Sequence, residues 1–515
     1  MRHNEKSEQK SRLTDRHFLC YNSEMRNSST LTALLCTLPL LFGGMQTWAQ
    51  EPADTPATPE QAAEAPDVEG DPLPCEQDKM QWWREARLGM FIHYGLYSGL
   101  AGVYKGEHAG GEWIQTNVGA NTDEYAAEAT PLFRPAKGCP AEWVKLAKDA
   151  GCRYVVLTTK HHEGFALFDS KLSDYTSAKL IGRDLVKEFT DACHEADMRV
   201  GFYHSVIDWH HPDYDNTICP DLCYPKGQAE MLKNRKIPRN QESYCRYLHG
   251  MVRELLTNYG KVDILWWDYS QGAAEGDRAW KATELKALCR ELQPNIIMNN
   301  RLYASPTAED GTPNGDFTTP EKKIPTPETM PTYDWESCMT VGHHWGYSMN
   351  DGMFKSPAHI ITMFEECLSL GGNFLLNIGP MVDGTVPEEQ VTVFRALGDW
   401  MKVNSEAVYG SAPLTDVELP EYIRAVVVND DIYVYLPALT PEALQEVADL
   451  NFSIPAAVFD DVQPGILGQP DCKVTMRRRE NPDNEEEAYL DFTIPIQAWK
   501  NAVQGLPVMK LEPGY

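Results

Sequence analysis

Six points in the chain set ionisable or amide side chains at the end of a short apolar run: His93-Tyr94, His161-His162-Glu163, His204, Trp266-Trp267-Asp268, Asn299-Asn300-Arg301 and Asn377. Buried strands ordinarily run out into bland loops, so the recurrence marks a functional rim. Metal-assisted hydrolysis would draw on His161, His162, His210 and His211. Adjacent residues of a strand point to opposite faces, so a His-His pair rarely converges on one ion, and these runs contain no HExxH or HxH spacing. Serine chemistry would need a G-x-S-x-G elbow, which the chain lacks. A phosphate cradle would need GxxxxGK, or GxGxxG after a strand, and neither occurs. Carboxylate chemistry remains. Asp268 closes the strongest strand candidate behind two tryptophans. A carboxylate walled by aromatics suits attack on the anomeric carbon of a sugar. Its partner acid would lie ~5–5.5 Å away for retention or ~6.5–9.5 Å for inversion. The aromatics offer apolar faces to the C–H side of a sugar ring, and the histidines and Arg301 offer donors to its hydroxyls. Neither a metal nor another cofactor is expected.

These residues need a scaffold that brings strand ends together. Residues 88–93, 154–160, 199–205, 262–268, 296–300 and 373–378 are short, continuous apolar runs, as buried parallel strands should be. Helical patterns lie between them at 140–150, 183–196, 241–258, 279–292 and 357–370. The first has Pro140 in its opening turn and stops at Gly151. The last has Ser356 as N-cap and Gly371 as its stop. Repeated strand–helix alternation predicts an α/β fold, a (β/α)8-like (TIM-type) barrel, with the rim residues at the strand C-termini where such barrels do chemistry. With six evident strands, the barrel is expected to be irregular. After about residue 411 the rhythm becomes strict alternation, at 422–428, 431–436, 472–476 and 488–494, with Asn429-Asp430 as a hairpin turn. This predicts a C-terminal antiparallel β-sandwich.

The 515 residues are 42% hydrophobic and 23% charged, with a formal net charge of −29. That composition excludes a wholly disordered, collagen-like or multi-span membrane chain. The negative balance argues against nucleic acid as a partner, because phosphate binding needs a basic face. Residues 31–42 (LTALLCTLPLLF) are too short to cross a bilayer but suit a signal-peptide core. Arg26 precedes them, and Thr47-Trp48-Ala49 offers a small-x-small cleavage site. The physiological start is therefore expected at Met25, cleavage near Ala49, and a periplasmic or secreted product with no stable membrane insertion. Residues 51–74 hold Pro, Ala and acids without aromatic or basic residues, and read as a solvated tether. The expected organisation is a leader over 1–49, a linker over 50–74, a catalytic barrel over 75–410 and the sandwich over 411–515. Of the 13 cysteines, Cys219 and Cys223 are the favoured disulfide pair in a compartment that permits one.

The motifs Gly89-Met90-Phe91-Ile92-His93-Tyr94-Gly95, Lys160-His161-His162-Glu163-Gly164-Phe165, Asp208-Trp209-His210-His211-Pro212, Trp266-Trp267-Asp268 and Gly371-Gly372-Asn373-Phe374-Leu375-Leu376-Asn377-Ile378-Gly379-Pro380 together resemble the α-L-fucosidases of glycoside hydrolase family 29. The likeness runs from about Trp82 to Tyr409. It implies a catalytic barrel with a C-terminal β-sandwich, and exo-hydrolysis of terminal α-L-fucose from fucosylated glycans, with retention through a covalent glycosyl-enzyme and without metal. Asp268 matches the family nucleophile. His93, Glu112, Trp113, His161, His162, Trp266, Arg301 and Trp345 match sugar-pocket residues. Strand residues Tyr203 and His204 share one pocket position between them, because His204 stands where many members have a second tyrosine. For the acid/base, Glu321 in Asp316-Phe317-Thr318-Thr319-Pro320-Glu321 is preferred, and Glu336 in Trp335-Glu336-Ser337 is the alternative. Two other readings stay open: a non-catalytic fucose-binding protein, and a related barrel glycosidase acting on another sugar such as α-L-galactose.

Overall fold

The apolar run before His93 folds as β1 (Leu88–Ile92), with every residue buried. A small hairpin of β2 (Val103–Tyr104) and β3 (Glu107–His108) follows. Further apolar runs become β4 (Tyr154–Lys160), β5 (Arg199–Ser205), β6 (Ile264–Asp268), β7 (Ile297–Met298), β8 (Glu336–Thr340) and β9 (Asn373–Ile378). In this computed structural model the described residues are 78–215, 238–270, 275–415, 417–456, 462–481 and 484–513. The expected leader and tether, and Cys219 with Cys223, lie outside them.

The seven barrel strands form one sheet in the order β7-β6-β5-β4-β1-β9-β8, each pair parallel. Helices cover it, so the strands are buried on both faces and read as unbroken apolar runs. The two edges, β7 and β8, are bridged by the extended segment 316–322. Asp316 N–H donates to the Met298 carbonyl (2.7 Å), Thr318 N–H to Asp334 (2.9 Å) and Lys322 N–H to Cys338 (2.8 Å). Glu336 and Cys338 donate back to Thr318 and Pro320. The barrel thus closes through an irregular eighth staple. Pro320 has no N–H to give to a regular ladder, which is why this segment did not stand out in the sequence; β8 did not because it opens on Glu336-Ser337 and closes on Thr340. β7 is shorter than expected because the Asn299 side chain replaces main chain: its amide accepts from Trp267 N–H and donates to the Trp267 carbonyl, both at 2.9 Å.

The helices follow local rules. Cys139–Asp149 ends before Gly151, whose φ is +86°, a value that favours glycine. Leu185–Glu195 is capped by Asp184, whose carboxylate accepts from Lys187 N–H at 2.8 Å. Gln241–Asn258 matches its expected span. The expected helix 279–292 is instead two, Gly276–Trp280 and Ala282–Leu292, separated by Lys281 in a left-handed conformation. Pro357–Ser369 is capped by Ser356 as expected.

After the helix Glu388–Asn404, antiparallel strands β10 (Ala412–Pro413), β11 (Arg424–Val428), β12 (Asp431–Tyr435), β13 (Asp449–Pro455), β14 (Val462–Ile466), β15 (Thr475–Asn481), β16 (Asn484–Pro495) and β17 (Val508–Pro513) build the sandwich. Its sheets are β10-β11-β12-β17-β14 and β13-β16-β15. Asn429 takes a φ of 54° in the two-residue turn joining β11 to β12. Alternation sorts the larger sheet: Val426, Tyr433, Tyr435 and Val508 join the hydrophobic core of the barrel, while Ile432, Val434, Met509 and Leu511 are buried on the other face. The expected strand at 472–476 starts instead at Thr475, and β13, β14 and β17 were not anticipated.

Candidate active site

The C-terminal ends of β1, β4, β5 and β6 and the loops after β7 and β8 enclose a cavity of about 540 Å³. Its floor is aromatic. Phe91 lies 5.1 Å from Trp266 and 4.5 Å from His93 between ring centres. Tyr203 stacks on Trp266 at 5.8 Å and on His161 at 5.5 Å. Trp345 stacks on His93 at 5.0 Å.

Two carboxylates face this cavity. Asp268 closes β6; its Oδ2 accepts from the Tyr203 hydroxyl at 2.8 Å and its Oδ1 from Arg301 Nη1 at 2.9 Å. Glu321 closes the barrel staple; its Oε2 lies 2.9 Å from Arg301 Nη2, and its Oε1 accepts from the Trp345 indole N–H at 3.2 Å. One guanidinium thus serves both acids, using the fork geometry that lysine lacks. Arg301 is itself held by Thr319, whose hydroxyl accepts from Nε at 2.7 Å and whose carbonyl accepts from Nη2 at 3.2 Å. Its planar group lies 4.6 Å over the Trp266 ring, a cation–π arrangement. Thr319 and Glu321 sit on the same staple, so the segment that closes the barrel also sets the spacing of the two acids.

The family model described as "Alpha-L-fucosidase" matches residues 59–406. This chain belongs to the α-L-fucosidase family. It is 31% identical to the tissue alpha-L-fucosidase of Rattus norvegicus over 68% of this chain and 72% of that one. Alpha-L-fucosidase of Dictyostelium discoideum is 27% identical over 72% and 80%. Among solved structures, alpha-L-fucosidase isoenzyme 1 from Paenibacillus thiaminolyticus superposes with a TM-score of 0.72 at 33% identity, covering 85% of this chain and 99% of that one. A trapped covalent intermediate of the GH29 alpha-L-fucosidase from Bacteroides thetaiotaomicron gives a TM-score of 0.70 at 26% identity, covering 87% and 99%. As a member of this family the chain is a glycoside hydrolase.

In this fucosidase fold the pocket histidines are neutral. Burial pulls His93 down to about 3, even though Asn377 favours its charged form. Burial, helped by Lys160, does the same to His162, and burial holds His161 well below the usual histidine range. The Asn377 amide nitrogen donates to the Trp345 carbonyl (2.8 Å), so its oxygen faces His93 Nδ1 at 2.7 Å. Nδ1 is therefore the donor, and Nε2 is left as an acceptor for a sugar hydroxyl. His161 Nδ1 is buried with no partner among the described residues. His162 lies behind the cavity wall with Nε2 3.6 Å from Asp268 Oδ2, beyond hydrogen-bond range.

Besides His162, three expected site residues sit elsewhere. His204 follows Tyr203 and so points to the opposite face of β5; it is fully buried, with Nδ1 3.0 Å from the Thr159 hydroxyl. The strand position belongs to Tyr203. Glu112 accepts from Gly346 N–H at 2.7 Å, so it anchors the turn that carries Trp345 and leaves the cavity wall to Trp113. Glu336 has no exposed surface. It accepts from the Tyr154 hydroxyl at 2.5 Å and from the Trp266 indole N–H at 3.1 Å, beneath the cavity floor. Glu321, by contrast, is 43% exposed at its side chain and borders the cavity. Its surroundings are the Arg301 guanidinium and an indole N–H, not the apolar loop a general acid suggests. His210 and His211 take no part: Asp208 accepts from both backbone N–H groups and pairs with buried Lys160 at 3.1 Å. Phe91, Tyr269, Asn300 and Tyr303 also line the cavity. Asn300 stands on the expected rim, but the rim could not tell it from Asn299; Phe91, Tyr269 and Tyr303 were not singled out because a lone aromatic at a strand or loop position reads as core packing.

Proposed function

We propose that the chain is an exo-acting, retaining α-L-fucosidase that releases terminal α-L-fucose from glycans, with Asp268 as nucleophile and Glu321 as acid/base. The observation that carries this assignment is the pairing of both carboxylates with the single Arg301 guanidinium at the cavity wall. Asp268 attacks the anomeric carbon. The bond to the glycosidic oxygen breaks, and that oxygen takes its electron pair and the proton of Glu321. Water then attacks the same carbon from the vacated side, giving its proton to Glu321 and freeing Asp268. Two inversions leave the configuration unchanged. Arg301 and Tyr203 keep the nucleophile oriented until attack, which is electrostatic preorganisation. The neutral His93 and His161, which line the cavity, meet the sugar hydroxyls. Phe91 and Trp345 offer an apolar wall for the C6 methyl, worth ~0.8 kcal/mol per buried carbon.

The burial of Glu336 favours Glu321 as the acid/base, since a proton donor must reach the glycosidic oxygen. The assignment is tested with aryl and natural fucosides. Asp268→Ala should abolish turnover and regain it with azide, yielding the azide of inverted configuration. Glu321→Ala should spare activated aryl fucosides relative to natural ones. The same selective pattern in Glu336→Ala would reverse the assignment.

We further propose export to the periplasm or medium, supported by the apolar run at 31–42 and the cleavage signal at Ala49. Exported protein should begin near Gln50 by N-terminal sequencing; a mature chain still beginning at Met1 overturns this.

A further inference from the structure

A closed ring of contacts runs through Glu321. The next residue, Lys322, donates from its ammonium to the His343 carbonyl at 2.7 Å. The same ammonium lies 5.2 Å from the centre of the Trp345 ring, a cation–π arrangement. Trp345 follows His343 by two residues, and its indole N–H returns to Glu321 Oε1 at 3.2 Å. The path therefore leaves Glu321 along the chain, crosses through Lys322 to the turn at 343–345, and comes back to the Glu321 carboxylate.

The backbone on each side of this ring is anchored separately. The turn is tied to the barrel where Gly346 N–H donates to Glu112 and the Trp345 carbonyl accepts from Asn377. The staple is tied to β8 by main-chain bonds at Thr318, Pro320 and Lys322. Two side-chain links then join staple to turn: the Trp345–Glu321 bond and the Lys322 ammonium. Glu321 is 43% exposed at its side chain, so packing alone does not fix the direction of its carboxyl. Lys322 has a φ of 53°, in the left-handed region that non-glycine residues seldom take. Such strain persists where surrounding contacts over-determine it, and it gathers at functional sites. No carboxylate pairs with Lys322 among the described residues, so its charge is spent on the indole and the carbonyl. That charge is also felt in the cavity: burial does most to keep His93 neutral, and Lys322 acts in the same direction.

We propose that Lys322 is a positioning residue for proton transfer, holding the Trp345 indole so that its N–H aims the Glu321 carboxyl at the glycosidic oxygen. The role rests on the reading of Glu321 as acid/base and deepens it. Lys322 touches neither the sugar nor the reacting atoms; it acts through Trp345.

The test is the ratio of kcat/KM on an activated aryl α-L-fucoside to kcat/KM on the fucosyl oligosaccharide cleaved best. An aryl group departs with little help from an acid, whereas a sugar alcohol needs the proton, so the ratio reports proton delivery. Glu321→Ala should raise it by about 100-fold, the size of a lost general acid. Lys322→Met keeps the acid but frees its direction, and should raise the ratio by about fivefold, a fraction of that loss. Lys322→Arg keeps a cation for the indole and a donor for the carbonyl, and should restore the ratio to within about twofold of the wild type. Lys322 is exposed, so both substitutions leave the core untouched, and circular dichroism checks their folding. An unchanged ratio in Lys322→Met, including equal losses on both substrates, overturns the positioning role. A ratio as high in Lys322→Arg as in Lys322→Met also overturns it. A ratio unchanged in Glu321→Ala overturns the acid/base reading, and the positioning role with it.

Discussion

Arg301 donates to Asp268 at 2.9 Å, and every other contact of that guanidinium serves to hold this one in place. Thr319 fixes its Nε and shares its Nη2 with Glu321, and Trp266 supports its face. A lysine could reach either acid but not both, and could not lie flat on an indole. Arg301→Lys should lower kcat/KM on aryl fucosides by about 100-fold, with the folded state intact by circular dichroism. Steady-state kinetics check this, and an unchanged kcat/KM would remove Arg301 from the catalytic scheme.

Glu336 supports the cavity floor from below through the Trp266 N–H. Burial raises its pKa to about 7, against the pull of hydrogen bonds from Tyr154 and Trp266. In Glu336→Gln the amide offers one acceptor where two donors need one, so the variant should lose about 1–3 kcal/mol of stability. Its kcat/KM values on aryl and natural fucosides should fall together. Thermal unfolding and paired kinetics measure both effects; a loss confined to natural substrates would make Glu336 the acid/base.

Tyr203 and His204 are neighbours with separate jobs. Tyr203→Phe removes a 2.8 Å hydrogen bond to Asp268 and should lower kcat by about tenfold with little change in unfolding temperature. His204→Leu removes a bond to Thr159 on the far side of β5, and should lower stability by about 1 kcal/mol with KM for fucosides unchanged. Kinetics and melting curves on the two variants distinguish them, and the reverse pattern would put His204 at the sugar.

Glu365, on the helix Pro357–Ser369, is buried, and its Oε1 has no partner among the described residues. Burial pushes its carboxyl up to about 8, with Arg424 pulling weakly the other way. The folded state therefore holds this proton over a range in which the unfolded chain, near 4.5, has lost it. Stability from this group is full below about pH 4.5, falls as pH rises, and levels off above about 8, a change on the order of a few kcal/mol. Glu163, raised by burial to about 7, slopes the same way. Urea unfolding at pH 5 and pH 8 should show a smaller loss in Glu365→Gln than in the wild type; equal losses would mean that Glu365 does not carry the effect.

Much of the barrel is readable locally. The runs that become β1, β4, β5, β6 and β9 are apolar because both of their faces are covered, and that is a property of consecutive residues. The same holds for the Gln241–Asn258 helix and the Asn429-Asp430 turn. What local reading misses are elements whose identity depends on partners distant in sequence: the Pro-interrupted staple at 316–322, strand β8 ending in polar residues, and β14 with Pro464 and Gly465 in its middle.

The sequence alone determined that strand ends would carry His93, His161, Asp268 and Arg301, because strand periodicity and barrel topology make those positions converge. Only the tertiary structure placed Glu321 at the cavity with Glu336 beneath its floor, Tyr203 on the cavity side of its strand with His204 on the other, and Glu112 under the turn that carries Trp345. Glu321 and Glu336, like Tyr203 and His204, have the same or similar polar chemistry and lie close along the chain. What separates them is which side of the barrel wall each side chain meets, and that is set by contacts with residues far away in sequence.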